Sequence, residues 1–198
     1  MKAAILIALS LLLFASCASQ SETAVNPQGE FAEIQVEPSF SLTKKMMKGD
    51  VKSAKLVSSN PGSFNPPALA AAANALLASD PDRAIYLFYL GQLRARSDAN
   101  KSLDPSASAG MGVFNQKFGP RINQHAFKDI VKLKASVGKV VADDKSIPRN
   151  YDPRWIALHG MDAFSKSKVR FKPKSQWRAI DSKTRVEYYN GFTTAMGM

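Results

Sequence analysis

Residues 84–90 read Ala84-Ile85-Tyr86-Leu87-Phe88-Tyr89-Leu90, a run that is apolar around the whole circumference of a helix. A helix without a polar face is surrounded by other elements of the fold. The stretch 68–77 that precedes it consists almost entirely of alanine and leucine, and small side chains allow helices to approach closely. We therefore expect residues 66–79 and 81–97 to form a tightly packed helix pair at the centre of the fold.

The spacing of Ala84, Phe88 and Gly91 is similar to that in the second helix of a tetratricopeptide or Sel1-like repeat, where small and aromatic residues interlock neighbouring helices. The first helix has Ala72 and Ala75 where that family has glycine and tyrosine, and no second copy of the pair follows. We interpret the pair as general helix-hairpin packing.

An asparagine or aspartate stands directly before a proline at four places, a pattern typical of a helix N-cap followed by the first helical residue. These pairs are Asn65-Pro66, Asp80-Pro81, Asp104-Pro105 and Asp152-Pro153. Helices are expected over 66–79, 81–97, 105–118, 127–142, 153–163 and 176–190, with Gly119 ending the third. The predicted fold is mainly α, a compact domain of about five or six helices. We expect short extended segments near residues 33–57 and 166–174.

Composition limits the chemistry of this chain of 198 residues. A single cysteine excludes an internal disulfide and a thiolate zinc cluster, and two histidines make a histidine-rich metal site improbable. The formal net charge of +11 favours an anionic partner. We expect neither a cofactor nor a metal.

The N-terminus has the three-part form of an export signal: a basic start at Lys2, an apolar run from Ala3 to Ala15, and then small residues. Phe14-Ala15-Ser16-Cys17 resembles the lipobox of bacterial lipoproteins, with phenylalanine where leucine is usual. This resemblance implies that residues 1–16 are a signal peptide and that Cys17 becomes the lipidated first residue. The alternative is ordinary cleavage after Ala18, which would leave a soluble periplasmic protein.

The residues after the cysteine bear on location and organisation. Ala18 and Ser19 lack the aspartate that retains such lipoproteins in the inner membrane, so the resemblance implies an outer-membrane lipoprotein facing the periplasm. Residues 17–30 are mostly polar and are interpreted as the lipidated cysteine and a flexible tether. Residues 31–198 then form one mainly helical domain.

Five cations occupy every second position from residue 166 to residue 174. This basic stripe consists of Lys166, Lys168, Arg170, Lys172 and Lys174. In an extended chain the five side chains point the same way, about 6.6 Å apart, while Val169 and Phe171 face the body. The stripe either protects a sheet edge from aggregation or binds anions such as lipid phosphates, an acidic envelope polymer or an acidic protein.

A second set of polar residues comes from three separate places in the sequence and is a candidate pocket lining. Its members are Gln92, Arg96, Asn123, Gln124, His125, Asp152, Arg154 and His159. Arg94 and Arg96 are interpreted as extending to solvent where their helix leaves the core. Asn123, Gln124 and His125 follow the Gly119-Pro120 break on a short turn or helix.

The sequence contains no catalytic signature motif, so a catalytic residue is not assigned and an enzyme is the less favoured interpretation. We expect a lipid-anchored envelope protein that acts as a binding or adaptor module with a basic surface for an anionic partner. An immunity-type lipoprotein that inhibits a periplasm-delivered toxin is one alternative. An envelope hydrolase using His125 or His159 is another. Nucleic acid is an improbable partner for an exported protein.

Overall fold

The structure is a computed structural model, and it describes residues 27–165 and 168–197. Within these ranges the chain forms eight α-helices and four short 3-10 helices. The α-helices are α1 (Ser39–Met47), α2 (Val51–Ser59), α3 (Pro66–Leu76), α4 (Pro81–Lys101), α5 (Ala109–Ala126), α6 (Ile130–Asp143), α7 (Asp162–Ser165) and α8 (Lys174–Ala195). The 3-10 helices are Gly29–Glu33, Pro61–Ser63, Pro105–Ser108 and Pro153–His159. The expected mainly α fold is confirmed.

The four predicted N-caps are confirmed by their hydrogen bonds. The Asn65 side chain accepts from the backbone N–H of Ala68 at 3.2 Å, and Asp80 accepts from that of Arg83 at 3.1 Å. Asp104 and Asp152 cap the 3-10 helices that follow them. Each cap pairs one of the N–H groups that a helix start leaves without a partner.

Helix α4 is the centre of the molecule and packs against α3, α5, α6 and α8. Leu87, Phe88 and Leu90 have no exposed surface, as the apolar run predicts. Helices α3 and α4 approach each other closely at Gly91, where an added Cβ would lie 3.1 Å from the Pro66 carbonyl oxygen. Helices α1 and α2 cover the outer side of α3.

Residues 33–57 are more helical than expected, because α1 and α2 occupy most of this range. Only residues 34–36 lie outside helices and turns between the first 3-10 helix and α1. The helical pattern was hard to recognise because each helix buries few apolar side chains, among them Met46, Ala54 and Val57.

The predicted end of a helix at Gly119 is wrong, because α5 continues through Pro120 to Ala126. Pro120 is exposed, so its missing N–H falls on the solvent side of the helix. Phe118 and Ile122 are buried on the opposite side. Packing of both halves of the helix on the core outweighs the local break signal.

Of the extended segment predicted near 166–174, residues 169–173 lie outside helices and turns, and Phe171 pairs with Ser102 in an isolated antiparallel bridge. Residue 168 is in a bend, and Lys174 is already helical, as the first residue of α8. In the part of the chain that the structure describes, none of the helices combines the length and apolar character needed to cross a membrane. Cys17 and the proposed signal peptide lie outside the described residues.

Candidate anion-binding site

The backbone of the basic stripe is fixed to the end of α4. The Leu103 N–H donates to the Arg170 carbonyl oxygen at 2.9 Å, and the Lys172 N–H donates to the Lys101 carbonyl oxygen at 2.8 Å. Residues 168–173 therefore have a defined path over the surface of the domain. Because this path is extended, alternate side chains point to opposite sides.

The side chains follow this alternation from Lys168 to Phe171, whereas Lys172 is partly buried. Val169 and Phe171 are partly buried against apolar clusters of the body, whereas Lys168 is exposed. Lys166 lies outside the described residues, and Lys174 is the first residue of α8. The structure thus places three of the five cations on the extended segment itself.

The three cations of this segment have different partners. Arg170 forms an ion pair with Asp162, with Nε 2.6 Å from Oδ2, and its side chain is half exposed. Lys172 Nζ donates to the neutral carbonyl oxygen of Asn100 at 2.8 Å. Among the described residues, Lys168 has no carboxylate partner. Only one of the three charges is therefore neutralised by an ion pair.

The start of the folded domain lies directly beside the stripe. The Glu30 carboxylate accepts a hydrogen bond from the backbone N–H of Val169, with Oε2 3.0 Å from N. Phe31 is buried in the same small apolar cluster that Val169 and Phe171 pack against. The first described residues of the chain consequently lie next to the stripe.

The polar residues predicted on α4 lie around Tyr188 of α8. Gln92 accepts from the Tyr188 hydroxyl at 2.6 Å and donates to Asn115 at 2.7 Å. Arg96 is exposed, as expected, with its guanidinium 5.6 Å from the centre of the Tyr188 ring. These side chains join α4, α5 and α8 through mutual hydrogen bonds.

The residues predicted near the Gly119-Pro120 break lie in the last turns of α5. Asn123 accepts a hydrogen bond from the Tyr89 hydroxyl at 3.0 Å, and burial raises the pKa of Tyr89 to about 12. Gln124 and His125 are exposed. Asn123 therefore stabilises the contact between α4 and α5, and His125 faces solvent.

The third predicted group surrounds the 3-10 helix Pro153–His159. Asp152 forms a salt bridge with Arg154 at 2.7 Å and also accepts from the backbone N–H of Gln35. The His159 ring packs edge-on against Trp155, with centroids 5.7 Å apart. Desolvation of the ring, together with the positive charge of Lys117, lowers the pKa of His159.

The predicted polar residues thus form three separate sets of contacts, and no hydrogen bond or ring contact joins His125 to His159 in the described residues. In the same part of the chain, no group of three or more histidine, cysteine, aspartate or glutamate side chains could hold a metal ion.

A group of charged residues that sequence reasoning missed lies between α4, the end of α6 and α8. This buried ion network consists of the cations Arg94, Lys101, Arg149 and Arg185 and the carboxylates Asp98, Asp144 and Asp181.

Asp144 is the centre of the buried ion network. Its carboxylate lies 2.8 Å from Arg94 Nε, 2.6 Å from Arg149 and 3.1 Å from Arg185. Burial alone would raise the pKa of Asp144, but the charges of Arg149 and Arg94 outweigh burial and lower it. Asp144 is therefore ionised at neutral pH.

Asp98 is fully buried at the other end of the network. It forms an ion pair with Lys101 at 3.2 Å and accepts hydrogen bonds from the Tyr151 hydroxyl and the Trp155 indole at 3.0 and 2.9 Å. Burial raises the pKa of Asp98 above its ordinary value, and the charge of Lys101 offsets part of this rise.

Asp181 of α8 connects the two ends. Its carboxylate lies 2.8 Å from both Lys101 and Arg149 and also accepts from the Ser97 hydroxyl. Through Asp181 the network ties α8 to the C-terminal half of α4.

The expectation that Arg94 extends to solvent is wrong, because its side chain is completely buried. Its guanidinium also donates to the carbonyl oxygens of Pro61 and Ile147, both at 3.1 Å, so all of its contacts come from distant segments. The sequence did contain one indication of this network, because Arg94 lies in the buried run of α4 and a buried charge requires partners.

The chain matches no protein-family model, and no curated protein or solved structure is significantly similar to it.

Proposed function

We propose that this chain is a lipid-anchored protein of the cell envelope, and that it acts as a non-enzymatic binding or adaptor module whose basic stripe holds an anionic partner. The observation that carries the proposal is the hydrogen bond between Glu30 and Val169, because it puts the start of the folded domain beside the stripe. A lipid on Cys17 would then tether the protein from the side that carries these cations.

The length of the proposed tether fits this arrangement. Residues 17–29 can span at most about 40 Å when fully extended, at about 3.3 Å per residue. The stripe would therefore remain within a few nanometres of the membrane surface. Lipid phosphates are the anions closest to a stripe held in this way. Envelope polymers and acidic proteins at the same surface are further negatively charged partners.

The charge distribution supports an anionic partner. Residues 151–198 contain nine basic and four acidic residues. Lys168 and Lys172 have no carboxylate partner among the described residues, and the ammonium group of Lys174 lies 5.9 Å from the centre of the Trp177 ring. These charges are available to an anion without breaking an ion pair of the fold.

The proposal is tested by replacing Lys168, Lys172 and Lys174 with serine in the full chain carrying Cys17→Ser, which removes the lipid contribution. Binding to vesicles of phosphatidylglycerol and phosphatidylcholine is measured by co-sedimentation. Each lysine near an anionic surface contributes about 1 kcal/mol, so the triple variant should bind roughly a hundredfold more weakly. Added salt should weaken binding of the parent chain in the same direction.

A matched control replaces the exposed Lys48, Lys52 and Lys55 with serine, which removes the same total charge outside the stripe. If both triple variants lose the same affinity, the effect is one of net charge and the stripe is not the binding surface. The anchor is checked in cells, where the wild-type chain should sediment with membranes and Cys17→Ser should not. A Cys17→Ser chain that stays with the membrane fraction would contradict the lipid anchor.

A further inference from the structure

A cleft of about 770 Å³ lies between the C-terminal end of α6, the residues that follow it, and one face of α8. Its volume is within the range of small-molecule sites. The lining is divided between charged and apolar side chains. The charged ones are Asp144, Lys145, Arg149, Arg178, Asp181 and Arg185.

The two carboxylates of this lining are already paired within the protein. Asp144 binds three arginines of the buried ion network, and Asp181 binds Lys101 and Arg149. Within the lining these two carboxylates are balanced by Arg149 and Arg185, so the positive charge in excess comes from the other two cations, Lys145 and Arg178.

Two more cations lie at the rim of the cleft. Lys145 and Arg178 are exposed, and neither has a carboxylate partner among the described residues. Arg178 precedes Asp181 by three residues and Arg185 by seven, so all three lie on one face of α8. The rim of the cleft thus carries two positive charges without carboxylate partners, next to the charge-balanced ion pairs of its floor.

The remaining lining is apolar. Val186 is 61% exposed although it lies on the cleft side of α8, and Tyr189 is one turn from Arg185. Val141 and Ile147 line the cleft from α6 and the segment that follows it. A ligand that is complementary to this lining has an anionic group and an apolar part.

We propose that the cleft binds a phosphate amphiphile, a molecule in which a phosphate group is joined to an apolar chain or ring. The phosphate lies between Lys145, Arg178 and Arg185, and the apolar part lies on Val186 and Tyr189. A phosphate monoester carries a charge of about −1.5 to −2 at neutral pH and three acceptor oxygens, which suits several cations better than a monoanion does. Lys174 of the stripe is one helical turn before Arg178 but does not line the cleft, and this inference does not depend on the proposed function.

The experiment measures binding of octyl phosphate, below its micellar concentration, to the full chain carrying Cys17→Ser by titration calorimetry. Inorganic phosphate supplies the head alone, and octyl glucoside supplies the tail with a neutral head. Octyl phosphate should bind with a stoichiometry of one and at least about tenfold more tightly than either control, since charge-assisted contacts and apolar burial both contribute. The absence of saturable octyl phosphate binding, or equal binding of inorganic phosphate, would overturn the proposal.

Variants of exposed residues test the contacts to the phosphate group and to the apolar part of the ligand independently. Replacing Lys145 and Arg178 with serine should weaken octyl phosphate binding about tenfold or more. Replacing the exposed Lys52 and Lys55 of α2 with serine removes two positive charges elsewhere and should leave binding unchanged. Val186→Ser should weaken octyl phosphate and leave inorganic phosphate unaffected. Equal loss in both double variants would contradict a site in the cleft.

Competition identifies the source of the phosphate. If lysophosphatidic acid in vesicles displaces octyl phosphate, the ligand class is a lipid, and if it does not, the class is a soluble phosphate ester. Both outcomes support the cleft. A stripe variant with only Lys168 and Lys172 replaced by serine keeps Lys174, which is one turn from Arg178, and should still bind octyl phosphate normally. Failure of the stripe and failure of the cleft therefore give different results.

Discussion

The buried ion network and the basic stripe use the same types of cation in opposite ways. In the network, Arg94 and Asp144 have no exposed side-chain surface, and each charge is fixed by several partners. In the stripe, Lys168 is exposed and Arg170 has one carboxylate partner. The comparison shows that the positive charge of this protein lies in two environments, one buried and paired within the fold and one open to solvent.

The difference follows from solvation. A charge removed from water requires close partners, and loss of one partner leaves the other charge uncompensated. An exposed charge remains hydrated, so its intramolecular partner contributes little to stability. Mutations in the network should therefore change the free energy of unfolding, and mutations in the stripe should change binding.

The largest effect is expected from Asp144→Asn. The substitution keeps the side-chain volume but removes the charge that faces Arg94, Arg149 and Arg185. Breaking a buried ion pair from one side costs about 3–5 kcal/mol, which urea denaturation measures directly.

The neighbouring residue provides the control for this substitution. Asp143 is bonded to the Tyr86 hydroxyl at 2.9 Å and pairs with Lys139 at the surface. Asp143→Asn should cost about 1 kcal/mol or less, as for one hydrogen bond at a partly exposed site. An equal decrease in the free energy of unfolding for the two variants would show that the buried ion network stabilises the fold no more than the partly exposed contacts of Asp143 do.

A smaller effect is expected from pH. The pKa of Asp144 is lower in the folded protein than its ordinary value of 3.8, so its stabilisation is present above pH 3.8 and is lost as pH falls through the folded pKa. Burial raises the pKa of Asp98, so ionised Asp98 destabilises the folded state. Its protonation at acidic pH stabilises the fold and partly masks the loss caused by Asp144.

The pH effect is isolated by comparing unfolding of the wild-type chain and of Asp144→Asn between neutral and acidic pH. The stability difference between the two should shrink as pH falls below 3.8. A difference that stays constant with pH would show that the carboxylate charge is not what stabilises the network.

The smallest effect is expected from Lys168→Ser in the stripe. This substitution removes an exposed charge that has no carboxylate partner among the described residues. The unfolding midpoint should stay within the error of the measurement. A loss comparable to that of Asp144→Asn would show that the stripe is a structural element.

The helices were largely predictable because their signals are local. Asn65 and Asp80 cap the helices that begin directly after them, and the apolar run of α4 is continuous in sequence. Helix α5 shows where local signals fail, because the Gly119-Pro120 pair is overridden by tertiary packing of Phe118 and Ile122.

The candidate site was predictable only in part. The alternation around Val169 and Phe171 is a local property, and the sequence indicated it. Arg94 and its partner Asp144 are 50 residues apart in the sequence, and periodicity contains no information on such pairs. The cleft depends on the same non-local contacts, which explains why its lining was not foreseen.

The position of Glu30 beside Val169 has a consequence for how strongly the stripe needs to bind. On the proposed anchoring, the stripe and the membrane belong to one tethered assembly, and their encounter becomes intramolecular. A short flexible tether gives an effective concentration in roughly the millimolar range. An intrinsic affinity too weak to detect in free solution would then be sufficient to keep the stripe occupied, and a local rise in ionic strength could release it while the protein stays anchored.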